Sequence, residues 1–391
     1  MEMQSIRLVK GKERALQRRH PWIFSGAIHP KSPLCTEGDI VRVESSTGEF
    51  LAIGHYMAQN ASIRIKILTY TDEILNEGWW ASRLANAFNL RKSLGLVGNS
   101  STTTYRLIYG EGDLLPGLII DIYGSNAVIQ CHTKGMHREL PVIASELDKL
   151  FEGQLATIFD KSGDVLHDDT ENQYLKGSDT FAQVLENNVH FKVDWSIGQK
   201  TGFFIDQRDN RDWVGQFSKG KKVLNAFAYT GGFSMYALLN GAREVHSVDL
   251  SETACQLATE NAELNGVADR HTAIASDVQQ FLKTMDDDYD IVILDPPAFA
   301  KRRKAVHNAI QAYKRLNATA MKHMKPGSLL FTFSCSQNVS AQAFTDTLRA
   351  ASIEVGRPVR ILRELRQPFD HPENIYFPEG HYLKGLLLEV G

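Results

Sequence analysis

The 391-residue sequence predicts an α/β protein. Its C-terminal half reads as a mainly parallel, doubly wound sheet, preceded by a β-rich module and a small α+β region. Three observations predict this. From about Gly198 onward, apolar runs at 223–226, 244–248, 271–275, 290–294, 328–333 and 382–389 alternate with segments of helical length. Within them, Val223–Asp249 reads as a strand, a Gly231-Gly232 turn, a helix from Phe233 to about Asn240, and a strand Glu244–Val248 ending on Asp249. At the other end, Asp39–Glu44 alternates, Ser45–Gly48 makes a turn, and Phe50–Gly54 and Ile63–Leu68 supply further strands.

The middle of the chain joins these two parts. A helix from about Glu73 to Leu94 carries Leu84, Phe88 and Leu90 at helical spacing. A turn at Gly110–Asp113 leads to a strand at Leu118–Asp121, a helix at about Leu140–Phe151 and a strand at Ala156–Phe159. The stretch Val184–Val193 reads as a hairpin turning at Asn187-Asn188. No catalytic constellation occurs here, so the region is expected to be a spacer or substrate platform. Asp160-Lys161 and the acidic loop Asp164–Glu171 are expected to face solvent. The resulting boundaries are 1–70, 71–190 and 191–391.

Composition narrows the function classes. A net charge of −3 argues against a chain that is basic throughout, so nucleic-acid contact must come from local patches. Cys35, Cys131, Cys255 and Cys335 lie far apart without a C-x-x-C pair, which suits reduced thiols better than disulfides or a metal site. No apolar run approaches the length of a membrane span and the N-terminus lacks a signal-peptide core. A soluble, cytoplasmic protein with no membrane partner is expected.

The glycine turn carries the first chemical information. An acid 17 residues beyond the second glycine suits a ribose, but the turn is not G-x-G-x-x-G. Those glycines let backbone approach a pyrophosphate at a helix N-terminus. A ligand with ribose and adenine but no phosphate needs the acid alone. S-adenosylmethionine is such a ligand, and the turn therefore points to methyl transfer before hydride transfer.

Further groups fall where a doubly wound sheet places ligands, at the carboxyl ends of strands. Asp249 ends the second strand, Asp277 follows the third, and Asp295 ends the fourth in Asp295-Pro296-Pro297. An acid in such a place is often only a helix cap; three at the intervals of successive strands are a stronger signal. The two prolines stiffen the turn that presents Asp295 and nearby carbonyls to a planar, amino-bearing base. Cys335 follows the next strand between Ser334 and Ser336. A lone cysteine is usually a small buried hydrophobe. At this edge, a thiolate can add to carbon 6 of a cytosine and make carbon 5 nucleophilic toward a sulfonium methyl.

Two basic regions bear on the acceptor. Near the start, Arg7, Lys10, Lys12, Arg14, Arg18, Arg19 and Lys31 are interleaved with His20, Trp22 and Phe24, and only Glu2 and Glu13 oppose them. Basic and aromatic residues together suit RNA; the plainer reading is a solvated loop with Trp22 in the core. Lys301-Arg302-Arg303-Lys304 follows the Asp-Pro-Pro turn and Lys314-Arg315 comes one helix later. Such a run is commonly a solvated helix start, and beside a base pocket it can hold phosphates flanking a flipped nucleotide.

Taken together, these residues resemble the RlmI (YccW) family of bacterial 23S rRNA cytosine-C5 methyltransferases. The resemblance runs through Arg18–Gly26, Gln199–Arg208, Tyr229–Phe233, Asp-Pro-Pro, Thr332–Ser336, Gln367–Pro372 and Pro378–Gly385, and covers essentially the whole chain. It implies an N-terminal PUA domain, a central α+β domain with a linking hairpin, and a Rossmann-like class I methyltransferase domain. It also implies S-adenosylmethionine as cofactor and 23S rRNA as partner, and admits a homodimer. By matching motif, Asp249 would hold the ribose hydroxyls and Asp277 the adenine amine. Asn225, Phe227, Tyr229 and Gly231 would line the methionine side, with Phe204 and Arg208 closing on the cofactor. Cys335 would be the nucleophile and Asp295 the group on the cytosine N3/N4 edge, also beside the cofactor. Arg18, Arg19, Trp22, Lys301, Arg302 and Arg303 are the expected RNA contacts. The base that takes the C5 proton is left open between water and Asp295. Two other readings remain: a related enzyme methylating a guanine ring nitrogen, for which Cys335 is dispensable, and a non-catalytic RNA-binding assembly factor.

Overall fold

The computed structural model describes residues 3–60, 62–166, 168–300 and 303–391. Its contacts divide the chain into two compact units that do not follow linear order. The first comprises Met1–Ala182, Val193–Phe203 and Phe369–Gly380; the second comprises Gln183–Lys192, Phe204–Pro368 and His381–Gly391.

In the first unit, strands β1 (Gln4–Arg7), β2 (Trp22–Phe24), β3 (Ile40–Glu44), β4 (Phe50–Tyr56) and β5 (Ile63–Thr69), with the short helix α1 (Arg14–Gln17), make one module. The sheet order is β1-β3-β4-β5-β2. Alternation in β3 sends Val41 and Val43 inward to a core with Ile6, Ile23, Ala52 and Ile65. A second sheet follows, in the order β10-β9-β8-β7-β6. Its strands are β6 (Thr104–Tyr109), β7 (Leu118–Tyr123), β8 (Asn126–Cys131), β9 (Thr157–Asp160) and β10 (Gln173–Lys176). Helices α2 (Glu77–Ser93) and α4 (Leu140–Leu150) share its core, and α3 (Lys134–Arg138) and α5 (Gly163–Leu166) are connectors. Helix α2 begins later than its periodicity predicts because Asn76 caps it, accepting from the Trp79 amide at 3.0 Å.

One expectation fails here. Asp160 and Lys161 are buried rather than solvent-facing. The Asp160 carboxylate takes the His137 ring at 3.0 Å and the Ser162 amide at 3.0 Å, while Lys161 Nζ donates to the Gly198 carbonyl at 2.5 Å. Charge alone pointed outward; paired charge is admitted inside.

Strands β11 (Phe181–Glu186) and β12 (Val189–Asp194) form the hairpin. Asn187 and Asn188 both adopt positive φ, 51° and 63°, as a two-residue type I′ turn requires.

The second unit holds a seven-stranded sheet in the order β15-β14-β13-β16-β17-β19-β18. In chain order its elements are α6 (Arg208–Phe217), β13 (Lys222–Ala226), α7 (Gly232–Leu239), β14 (Glu244–Asp249), α8 (Glu252–Leu264), β15 (His271–Ala275), α9 (Val278–Thr284) and β16 (Ile291–Leu294). They continue with α10 (Val306–His323), β17 (Ser328–Ser334), α11 (Ala341–Val355), β18 (Val359–Leu365) and β19 (Lys384–Val390). Strands β13 to β17 are mutually parallel, and β19 runs antiparallel between β17 and β18. Strands β13 and β16 are buried at every residue, as central strands covered on both faces must be. The order reverses between β13 and β16, which opens a crevice at their carboxyl ends. Strand β18 escapes the sequence reading because most of it is exposed at the sheet edge, where Arg360, Arg363 and Glu364 mask its alternation.

Candidate active site at the carboxyl edge of the sheet

The edge is built around the turn after β13. Phe227, Tyr229 and Gly231 adopt left-handed φ values of 60°, 47° and 76°. Two of these are bulky residues held against their preference, a cost of about 1–3 kcal/mol each. The Gly231 amide bonds the Ala228 carbonyl at 2.9 Å, and a Cβ on Gly231 would meet the Ala258 methyl at 3.0 Å. Helix α7 starts at once, and no side chain caps it among the described residues. Its first-turn amides and the tight glycines suit a small, phosphate-free ligand, as expected of S-adenosylmethionine. Asn225 is buried below the turn, donating to Ser234 Oγ at 2.9 Å; Ser234 in turn meets Ser247 Oγ at 2.7 Å.

Phe204 joins this turn through its ring, which meets that of Tyr229 edge-on at 5.1 Å. Its backbone is fixed by Arg211, whose Nη1 donates to the Phe204 carbonyl at 3.0 Å. Arg211 makes two 2.7 Å bonds to the fully buried Glu186 carboxylate. Tyr236 also donates to that carboxylate, at 3.0 Å, and Arg208 Nε lies 3.6 Å from it. Burial opposes the Arg211 charge, yet Glu186 raises its pKa overall. Sequence reasoning gave Glu186 and Arg211 no role; the only signal was an acid directly before the Asn187-Asn188 turn of the hairpin.

The three acids differ in their surroundings. Asp249 accepts the Tyr229 amide at 2.9 Å and the Ser251 amide at 3.0 Å, which ties the end of β14 to the glycine turn. Each oxygen keeps a further lone pair for a hydroxyl. Asp277 is exposed and caps α9, its Oδ1 accepting from Gln280 at 2.9 Å. Asp295 is half-buried at the end of β16, before the buried Pro296 and exposed Pro297.

Cys335 closes the crevice from β17. Its thiol lies 3.8 Å from the Pro296 carbonyl, so the cysteine and the Asp-Pro-Pro turn share one pocket edge. It alone of the four cysteines is only partly buried. Burial pushes the other three thiols up, away from the reactive thiolate. Beneath it, Ser336 Oγ takes the Ala300 amide at 3.1 Å and meets the Tyr313 hydroxyl at 3.0 Å. Lys384, the first residue of β19, donates to the Ser336 carbonyl at 2.8 Å. Sequence reasoning missed this lysine as a site residue, because only antiparallel pairing brings it to this edge.

The expected RNA contacts lie apart from this pocket in sequence. Arg18 and Arg19 are exposed just after α1. Trp22 is half-buried, its Nε1 donating to Glu111 at 2.8 Å and its ring 4.6 Å from that of Phe377. Arg303 opens a short 3-10 turn; Lys301 and Arg302 lie outside the described residues. Lys314 pairs with Glu354 at 2.6 Å, as a solvated helix face would have it. Among the described residues no helix is long and apolar enough to cross a membrane.

Comparison with known proteins agrees with this geometry. The profile of S-adenosylmethionine-dependent methyltransferases matches residues 165–373, and that of PUA-like domains matches residues 6–70. Ribosomal RNA large subunit methyltransferase I of Aeromonas hydrophila is 37% identical over 398 residues, covering 99% of both chains. The enzyme of the same name from Klebsiella pneumoniae strain 342 is 34% identical over 394 residues, covering 98% of this chain and 97% of its own. Among solved structures, a Streptococcus mutans chain described as a SAM-dependent methyltransferase superposes with a TM-score of 0.86 at 23% identity, covering 99% of this chain and all of its own. At that identity the likeness speaks for the fold. With its PUA module, its class I sheet and an edge suited to S-adenosylmethionine, the chain belongs to the ribosomal RNA large subunit methyltransferase I family and is an S-adenosylmethionine-dependent rRNA methyltransferase.

Proposed function

We propose that the protein methylates carbon 5 of a cytosine in 23S rRNA through a covalent adduct between Cys335 and carbon 6. The observation that carries this reading is the partly buried Cys335 thiol, 3.8 Å from the Pro296 carbonyl of the Asp-Pro-Pro turn. A ring nitrogen carries its own lone pair and needs no such nucleophile; carbon 5 does. S-adenosylmethionine, when bound, supplies the sulfonium methyl that carbon 5 takes.

The chain's own residues divide the remaining work. Asp249 holds the ribose hydroxyls with the lone pairs its two backbone donors leave, and Asp277 offers its exposed carboxylate to the adenine amine. Phe204, Arg208, Asn225, Phe227, Tyr229 and Gly231 shape the methionine side. Asp295 holds the N3/N4 edge of the cytosine and fixes its ring over the thiol. The Cys335 sulfur forms a bond to carbon 6 and the C5=C6 electron pair moves to carbon 5. After methylation the C5 proton leaves to water or to Asp295, the double bond re-forms, and the sulfur departs with its pair. The chain then works as three modules, 1–70 and 71–190 for holding RNA and 191–391 for chemistry. Exposed Arg18 and Arg19 contact phosphates, Trp22 supports that surface from within, and the 301–303 run grips the RNA beside the target base.

Cys335→Ala tests the reading directly. It is expected to keep S-adenosylmethionine affinity and to lose at least ~10³-fold of product. RNA carrying 5-fluorocytosine at the target should become covalently trapped on the wild type, because the fluorine cannot leave as a proton does. Full activity of Cys335→Ala without trapping would sink the proposal.

A further inference from the structure

We propose that Lys384 is a positioning residue for the Cys335 thiol, holding that thiol's proton on its amine so that the sulfur is a thiolate when the pyrimidine arrives. The inference rests on Cys335 being the nucleophile, and it assigns the group that ionises it. Strand β19 is antiparallel to β17, and the register sets Lys384 opposite Ser334, the residue before Cys335. Its Nζ reaches the carbonyl of Ser336, the residue after Cys335, at 2.8 Å. The lysine thus meets the chain on both sides of the cysteine, through its strand before it and through its amine after it.

The lysine is also out of place as a structural residue. It is 5% exposed, and no carboxylate lies within ion-pair distance of it among the described residues. Lysines are almost never so buried unless paired. Here its company is one carbonyl and the neighbouring thiol. The titratable and charged groups on adjoining elements are Cys335 after β17, Tyr313 on α10, Asp295 after β16 and, on the exposed edge strand β18, Arg360, Arg363 and Glu364. Burial pushes the Tyr313 hydroxyl up, so it stays neutral. Burial also pushes the Lys384 ammonium down to about 8, with Cys335 acting in the opposite sense. An ordinary thiol titrates at about 8.5. An amine depressed this far can exchange a proton with a thiol beside it.

The step balances without another reagent. The Cys335 S–H bond breaks, its pair stays on sulfur, and the proton forms a new N–H bond on the neutral Lys384 amine. The thiolate then forms the S–C6 bond. When the adduct breaks the pair returns to sulfur, and the ammonium gives the proton back.

The test is the pH profile of Cys335 alkylation by iodoacetamide in the full-length protein without RNA, read on the Cys335 peptide by mass spectrometry. In the wild type the inflection is expected at or below about pH 8. Lys384→Met should raise it by about one unit or more, slowing alkylation at pH 7 roughly tenfold. Retained S-adenosylmethionine binding would verify that the variant is folded. An unshifted inflection in the folded variant overturns the proposal, and so does a wild-type inflection at or above about pH 9, which needs no variant at all. A shifted profile alongside fully active Cys335→Ala would leave Lys384 acting on the thiol and remove the nucleophile reading. An unshifted profile alongside inactive Cys335→Ala would do the reverse.

Discussion

The two ends of the seven-stranded sheet are both rich in charge, and they use it in opposite ways. At the amino end, Lys222 pairs with Asp288 at 2.9 Å and lies over the Tyr289 ring at 4.8 Å. His246 bridges Glu244 at 2.7 Å and the Tyr289 hydroxyl at 2.6 Å, and Lys325 is matched by Asp290. Lys222, His246 and Lys325 there each meet an acid. At the carboxyl end, Lys384 donates to a carbonyl beside Cys335, Asp249 is half-committed to backbone donors, and two aromatic residues sit at positive φ. Charge density therefore does not mark the active end. Backbone strain does, because it persists only where surrounding structure enforces it.

Glu186→Gln should break this contrast most severely. It leaves two guanidinium groups near a neutral amide in a buried site, and removing one partner of such a pair costs about 3–5 kcal/mol. Urea unfolding of the whole chain should report that loss, and S-adenosylmethionine affinity should fall with it as Phe204 loses its anchor. Gly231→Ala should act more locally. The left-handed backbone and the 3.0 Å approach to Ala258 predict a stability loss of about 1–3 kcal/mol, with weaker cofactor binding by calorimetry. Unchanged cofactor affinity in Gly231→Ala would mean that the turn is strained for folding alone. At the amino end, Lys325→Met should cost at most about 1 kcal/mol, since its side chain is 38% exposed and its ion pair is solvent-screened. Cofactor affinity should not move. A change in affinity there would erase the distinction between the two ends.

What could be read from the sequence follows the same division. The parallel strands were legible because burial on both faces makes apolar runs such as Ile291–Leu294, and the acids at their ends fall where the topology needs them. The Asn187-Asn188 turn was legible because few residue pairs accept two positive φ values. Strand β18 was not, since an exposed edge strand has no buried alternation to display. Asp160 and Lys161 misled because their partners, His137 and the Gly198 carbonyl, are remote in sequence. The same distance hid Glu186, Arg211 and Lys384. Positive φ at Phe227 and Tyr229 could not be read either, because nothing in an aromatic side chain announces it.

The insertion of β19 between β17 and β18 has a consequence for assembly. Strands adjacent in sequence are separated in space, so β17 and β18 must leave a gap one strand wide until β19 enters it. Ser336 and Lys384 lie 48 residues apart and meet only when that gap is filled. Closing so long a loop is among the slower events in folding. A chain caught before that closure would carry Cys335 without the amine beside it. On the chemistry proposed above, competence and completion of the sheet are then a single event.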